Sequence, residues 1–171
     1  LLTLGMILNK NCYVFDLEKK FKECSSNVTY CDSNIFENFK KFGKFTYDIF
    51  TKYKNAGYDE KALQEYGEYV CVIIGVDKFK SIMAENFDSA FSGLLSMIKG
   101  MPKVHFVFID TCDNLKKREF DPWFKDTLNG AKGIWLGNGF NSQYLMKSTL
   151  STRTMAAALA KNFGYYINGN S

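Results

Sequence analysis

The sequence has few of the residues from which metal and redox sites are built. Its only histidine, His105, lies inside the apolar run VHFVFI, and its five cysteines include no Cys-x-x-Cys pair. These features argue against a zinc site. The cysteine count is odd, and Cys71 and Cys112 lie in or beside apolar strands. We interpret the cysteines as reduced core thiols of a cytosolic protein, and His105 as a core or sheet residue rather than a catalytic base.

Long apolar runs, linkers and a strong charge imbalance are also missing. No stretch approaches the roughly 20 apolar residues that a membrane-spanning helix needs. The opening LLTLGMILNK lacks the basic start and the small-residue cleavage site of a signal peptide. A net charge of +4 is too small to indicate nucleic-acid binding by itself. With two prolines and no Gly/Ser linker, the 171 residues are expected to form a single globular domain, 1–171.

The sequence does contain a series of short apolar runs separated mostly by helical patterns. The run Val70–Ile74 is apolar without alternation, which is typical of a strand buried on both faces. Strands are predicted at 12–16, 70–75, 104–109, 133–137 and 163–167, with a brief strand or extended connection at 28–32. This order predicts an α/β fold with a largely parallel sheet of about five strands flanked by helices.

Helix boundaries follow from capping residues and glycines. Helices are predicted from Ser33 to a break at Gly43, from there to Tyr53, after the cap Asp59, over 86–99, from Asp121-Pro122 to about Asn129, and from Ser151 or Thr152 through MAAALAK. Leu1–Leu8 shows a helical face without a start signal. This pattern leads to the expectation that the domain begins upstream of Leu1.

The strongest candidate site comes directly after the central strand. That strand ends at Gly75, and Asp77 lies two residues further, at the strand's carboxyl end. Ligands of open α/β sheets bind at this edge, and an Asp after a buried strand is how P-loop NTPases hold magnesium. Many buried parallel strands also end in Asp because its side chain stabilises the turn that follows. A purely structural role for Asp77 is therefore the alternative.

Three stretches resemble the carboxyl-terminal FtsK/SpoIIIE-type P-loop ATPase domains of EssC-type coupling proteins in type VIIb secretion. VIIGVDKFKSIM is similar to the family's magnesium-binding strand, in which hydrophobic residues are followed by Asp-Glu and an apolar residue. DPWFKDTLNGAKGIWLGNGFNSQYL resembles a glycine-ended strand and the element after it, and NFGYYINGN resembles the closing strand. The resemblance covers most of the chain, and it implies a P-loop NTPase (RecA-like) fold.

This sequence departs from the family pattern at the catalytic positions. The resemblance makes Asp77 the magnesium-organising residue, but Lys78 then stands where the family has a catalytic Glu. An ammonium group cannot accept a proton from the attacking water. No G-x-x-x-x-G-K-[ST] phosphate loop occurs in the chain. We therefore expect a vestigial nucleotide and magnesium site at Asp77 and Lys78, no catalytic activity of this chain, and a further upstream strand beside Tyr69–Ile74.

The resemblance implies a degenerate ATPase-like domain on the cytoplasmic side of a membrane protein. Its expected partners are secreted WXG100- or LXG-type helical proteins, sibling ATPase domains and further copies of the full-length protein, but not nucleic acid. ATP and Mg²⁺ are expected in the intact protein at most, and not tightly bound by this chain. Candidate aromatic anchors for partners are Trp123, Trp135, Phe140 and Tyr144. The alternatives are a working ATPase whose phosphate loop lies upstream, a DNA translocase motor, and a resemblance of fold alone.

Overall fold

The chain contains six β-strands and four α-helices within the residues that the structure describes. A computed structural model describes residues 11–20, 28–98, 101–122, 124–125, 132–143 and 145–168, without the side chains of 85–92 and 95. Its elements are β1 (Asn11–Asp16), β2 (Val28–Cys31), α1 (Ile35–Asn55), β3 (Tyr69–Ile74), α2 (Val76–Ile98), β4 (Val104–Ile109), α3 (Cys112–Lys116), β5 (Lys132–Leu136), α4 (Thr152–Ala156) and β6 (Gly164–Asn168), with 3₁₀ turns at Glu60–Leu63 and Phe140–Ser142. The predicted helix at Leu1–Leu8 lies outside the described residues.

The chain divides into two compact units, Leu1–Asn114 and Leu115–Ser171. The first contains a four-stranded sheet in the order β2-β1-β3-β4, with every neighbouring pair parallel. The prediction of an α/β fold with a parallel sheet flanked by helices is confirmed for this unit. Val72 and Ile73 in β3 are fully buried, as expected for a strand covered on both faces.

Strands β5 and β6 do not join the parallel sheet. They pair antiparallel with each other in a separate two-stranded sheet of the second unit. The prediction of one largely parallel sheet with about five strands is therefore wrong for the last two strands. Their apolar patterns identify them as strands, but a pattern in one strand cannot specify which neighbour it pairs with or in which direction.

Aromatic side chains fill the space between the parallel sheet and its two long helices. Phe15 of β1 contacts Phe39 of α1 and Phe79 of α2, with ring centroids 5.5 and 6.0 Å apart in edge-on geometry. Phe39 and Phe79 also meet directly, at 5.0 Å. All three side chains are buried, and aromatic pairs in this geometry stabilise a core beyond the area that they bury.

Two helix predictions require correction because packing overrides a local signal. Helix α1 runs unbroken through Gly43 and begins after Asn34 rather than Ser33. A Cβ atom at Gly43 would lie 3.4 Å from Leu94 Cδ2, so the glycine permits close helix packing instead of ending the helix. Helix α2 begins at Val76, ten residues before the predicted start. Gly75, with a φ of 83°, is the single residue that connects the strand to the helix, and glycine adopts this left-handed conformation readily.

The capping predictions at Asp59 and Ser151 are confirmed. Asp59 Oδ1 accepts a hydrogen bond from the Lys61 backbone N–H at 2.9 Å, and Ser151 Oγ accepts one from Thr154 N–H at 3.2 Å. Helix α4 ends at Ala156 instead of continuing through the predicted MAAALAK stretch. Among the described residues, no helix is both long enough and apolar enough to cross a membrane.

Candidate functional site

The candidate site lies where the strand order reverses in the parallel sheet. From β1 the chain moves to β2 on one side, and β3 then pairs with the other side of β1. The carboxyl ends of β1 and β3 therefore form a topological switch point, which is where ligands bind in open α/β sheets. Asp77 and Lys78, the two predicted site residues, come directly after Gly75 and Val76 at the end of β3, so the fold brings them to this edge. Glu18 comes after β1 and lies at the same edge.

The connection after β3 is closely packed against the segment after β1. The Leu17 N–H donates to the Ile74 carbonyl at 3.0 Å, and the Gly75 N–H donates to the Ile109 carbonyl at 2.9 Å. A Cβ atom at Gly75 would lie 3.2 Å from Glu18 Cγ and 3.3 Å from Leu17 Cβ. Gly75 thus meets two requirements, a left-handed backbone and a close approach.

The amino terminus of α2 is occupied by a carboxylate from the neighbouring strand. The Asp77 backbone N–H donates to Asp110 Oδ2 at 3.1 Å, and Asp110 Oδ1 accepts from the Thr111 N–H at 2.7 Å and from Asn114 Nδ2 at 2.8 Å. Asp110 therefore acts as an internal anion at the positive end of the helix. The sequence shows Asp110 closing a strand but does not show that it reaches α2.

Lys78 forms an ion pair across the switch point. Its Nζ lies 2.7 Å from Glu18 Oε1, with 61% of the Lys78 side chain and 31% of the Glu18 side chain exposed. The ammonium group holds Glu18 beside the Gly75 turn and has no capacity to act as a general base at neutral pH. The pair therefore places a lysine and a glutamate, rather than two carboxylates, at the mouth of the site.

A buried carboxylate, Asp16, organises the segment after β1. Its side chain is fully buried and accepts hydrogen bonds from the Glu18 N–H at 3.1 Å, the Lys20 N–H at 2.7 Å and the Tyr30 hydroxyl at 2.8 Å. The sequence indicates Asp16 only as a strand end. The one signal of its role is that an aspartate ends β1, as Asp110 directly follows β4.

An upstream strand beside β3 was expected from the resemblance, but both sides of β3 are occupied. Strand β1 pairs along its whole length on one side, and β4 pairs along it on the other. An additional strand could join this sheet only at β2 or β4 without displacing a partner. The position beside β3 that the resemblance reserves for an upstream strand is thus taken by Asn11–Asp16.

The predicted aromatic anchors have different outcomes. Phe140 is fully buried, with its ring 4.8 Å from Tyr165 and 5.7 Å from Trp135, so its prediction as an exposed anchor is wrong. Trp135 is partly buried, and its indole N–H donates to the Gly137 carbonyl at 3.1 Å. Trp123 and Tyr144 lie outside the described residues.

The remaining polar candidates have structural surroundings. His105 Nε2 lies 2.6 Å from Glu68 Oε2 on the sheet surface, and this hydrogen bond lowers the pKa of Glu68. Burial raises the pKa of Cys71 well above that of a free thiol, and the interpretation of Cys71 as a core residue is confirmed. Within the described ranges, no group of three or more His, Cys, Asp or Glu side chains is arranged to hold a metal ion.

Comparison of the chain with protein-family models, with curated proteins and with solved structures found no match.

Proposed function

We propose that this chain is a degenerate ATPase-like module that recognises or regulates secreted protein substrates in type VIIb secretion. The resemblance of its sequence to EssC-type coupling proteins supplies the biological setting. The observation that carries the non-catalytic part is the Asp110 carboxylate at the amino terminus of α2, 3.1 Å from the Asp77 N–H. The proposal also includes that the parallel sheet belongs to a domain of the P-loop NTPase (RecA-like) fold.

Electrostatics disfavours phosphate binding at this helix terminus. A phosphate binds a helix amino terminus through free backbone N–H groups and the positive end of the helix dipole. Asp110 already accepts a hydrogen bond there, and its negative charge repels a second anion. Lys78, the nearest cation on α2, is paired with Glu18 instead of being directed to a phosphate by a glycine loop.

The same residues argue against hydrolysis. Asp77 could still approach a magnesium ion, because its carboxylate lies at the strand edge where the family binds the metal. The next residue would have to orient and deprotonate water, and a lysine ammonium cannot accept that proton at neutral pH. The proposed module therefore uses the fold as a scaffold rather than as a motor.

The proposed partners and location follow from the resemblance. The module would engage secreted WXG100- or LXG-type helical proteins and pack against sibling ATPase domains in a homo-oligomer of the full-length protein. It would form part of the cytoplasmic region of a membrane-associated protein, bind no nucleic acid, and hold neither ATP nor Mg²⁺ tightly by itself. A working ATPase completed by an upstream phosphate loop is the competing proposal.

Calorimetric titration of the 171-residue chain with ATP and Mg²⁺, and separately with ADP, tests the nucleotide part. We expect no binding heat from the native chain or from Asp77→Ala. Micromolar binding that Asp77→Ala abolishes would contradict the proposal and favour the competing ATPase. Asp113→Ala is the matched control, because Asp113 is an exposed aspartate three residues beyond Asp110.

Capture of a purified WXG100-type helical hairpin by the immobilised chain tests the recognition part. An unrelated helical hairpin of similar charge is the control, since non-specific charge attraction would retain both. We expect selective retention of the secreted protein. Equal retention of both hairpins, or of neither, would contradict the proposed recognition role.

A further inference from the structure

The two-stranded sheet of the second unit exposes large apolar side chains on one face. Ile134 and Tyr166 are directly opposite each other in the antiparallel register and are 69% and 68% exposed. Leu136 is on the same face and 72% exposed, opposite Gly164, which has no side chain to cover it. We call Ile134, Leu136 and Tyr166 the outer face of the β5–β6 sheet.

The opposite face of the same sheet is already used for packing. Trp135 and Tyr165 form the cross-strand pair on that side, and the buried Phe140 ring contacts both. Ile167 on this side is also buried. Large apolar residues on both faces of a sheet are typical where both faces are covered. A contiguous apolar surface that stays exposed commonly marks an interaction site.

The charge of the chain is concentrated in the segment that carries this face. Residues 127–171 contain four basic side chains and neither Asp nor Glu, so the net charge of +4 resides entirely there. Lys132 is exposed on the outer face, two residues before Ile134. Lys161 is exposed three residues before β6, and two residues before Phe163, whose carbonyl accepts a hydrogen bond from the Gly137 N–H.

We propose that the outer face binds an acidic amphipathic protein segment, with apolar side chains on Ile134, Leu136 and Tyr166 and carboxylates near Lys132 and Lys161. Complementary charge steers such a partner and fixes its register, while burial of the apolar residues supplies affinity. This inference rests on the proposed recognition function and specifies the chemistry of the partner.

Charge also decides between the other occupants. A second copy of the chain would bring two positive segments together, which is unfavourable. Nucleic-acid surfaces and anionic membranes are bound by dense clusters of Lys and Arg, whereas here four basic residues are spread over 127–171. An acidic protein segment needs only a few favourable charges around an apolar contact.

The test uses fluorescein-labelled peptides and anisotropy with the intact 171-residue chain. The probe is a designed peptide of about 18 residues, roughly five helical turns, with Leu along one face and Glu elsewhere. One comparison peptide replaces each Glu with Lys, and another replaces each Leu with Ala. We expect only the Glu/Leu peptide to bind, with a Kd that rises with salt.

Two pairs of variants locate the binding surface. Leu136→Thr/Tyr166→Thr keeps residues that favour strands, and its control is Tyr47→Gln, at an exposed tyrosine of α1. Lys132→Gln/Lys161→Gln is compared with Lys44→Gln/Lys54→Gln, at exposed lysines of α1. We expect each outer-face variant to raise the Kd at least about tenfold and each control to leave it unchanged. Circular dichroism checks that every variant is folded.

Several results would overturn the inference. Absence of Glu/Leu peptide binding, equal binding of the Lys/Leu peptide, or unchanged binding by the outer-face variants would each do so. Binding of phosphatidylglycerol vesicles or single-stranded DNA in place of the peptide, weakened by the outer-face variants, would identify another class of partner. A dimer of the native chain that Leu136→Thr/Tyr166→Thr dissociates would identify a second copy of the chain as the partner. Capture of the secreted hairpin unaffected by these variants would reject the face while leaving the proposed function intact.

Discussion

Lys78 and Glu18 form an ion pair across the topological switch point, with Lys78 Nζ 2.7 Å from Glu18 Oε1. The pair joins the start of α2 to the segment after β1, so it connects the two sides of the candidate site. Because most of the Lys78 side chain is exposed, water and salt screen the attraction. The pair therefore positions Glu18 more than it stabilises the fold.

A double-mutant cycle measures this coupling. We expect Lys78→Ala and Glu18→Ala each to change the free energy of unfolding by less than about 1 kcal/mol, with a coupling of about 0.2–1 kcal/mol that decreases as salt is added. Urea denaturation of the native chain, both single variants and the double variant provides the four values. A coupling independent of salt would show that contact other than charge attraction links these residues.

Gly75→Ala should destabilise the protein more than Gly57→Ala. Both glycines have positive φ values, 83° and 67°, so Ala incurs a backbone cost of about 1–2 kcal/mol at either position. A Cβ at Gly75 would additionally lie 3.2 Å from Glu18 Cγ, whereas a Cβ at Gly57 would have no atom within 4 Å. We expect about 1 kcal/mol of extra destabilisation at Gly75 by urea denaturation. Equal losses would show that the segment after β1 moves aside freely.

Asp16→Asn tests the buried carboxylate of β1. The carboxylate accepts hydrogen bonds from two backbone N–H groups and from the Tyr30 hydroxyl, and an amide has only one oxygen to receive them. We expect a loss of about 1–3 kcal/mol in the free energy of unfolding, and a smaller loss of about 0.5–1.5 kcal/mol for Tyr30→Phe. The control is Asp48→Asn at an exposed position of α1, where the change should be near zero. A similarly small effect at Asp16 would refute its organising role.

The Glu68 ion-pair cluster predicts a change of stability in mild acid. His105 Nε2 lies 2.6 Å from one Glu68 oxygen and Lys103 Nζ lies 3.2 Å from the other, and the His105 hydrogen bond is the main cause that lowers the Glu68 pKa below its ordinary 4.5. The stabilisation is therefore present above pH 4.5 and is lost as the pH falls through the lowered folded-state pKa.

Comparison of Glu68→Gln with the native chain from pH 7 to pH 3 measures this contribution. The native chain should be more stable at pH 7, by less than about 1 kcal/mol because the cluster is partly exposed, and the difference should shrink in acid. Glu60→Gln, at an exposed glutamate, should show no comparable pH dependence. A difference between Glu68→Gln and the native chain that grows in acid would have the wrong sign.

The sequence predicts local structure well where neighbouring residues are sufficient to define it. The apolar run of β3 identifies a buried strand because both of its faces must be covered, and Asp59 and Ser151 identify helix starts because they bond N–H groups within three residues. It also places Asp77 at a strand edge. The same local reasoning failed at Gly43, where packing against Leu94 accompanies a helix that continues, and at the start of α2, which directly follows Gly75 instead of beginning ten residues later.

By itself, the sequence determined the strands of this protein, the absence of a phosphate loop and the location of its net charge, because periodicity, motifs and composition are properties of the chain. Only the tertiary structure decided the strand order, the antiparallel pairing of β5 with β6 and the burial of Phe140. It also brought Asp110 to the Asp77 N–H across 33 residues of sequence. Such relationships depend on which distant surfaces pack together, and hydrophobic patterns do not specify partners.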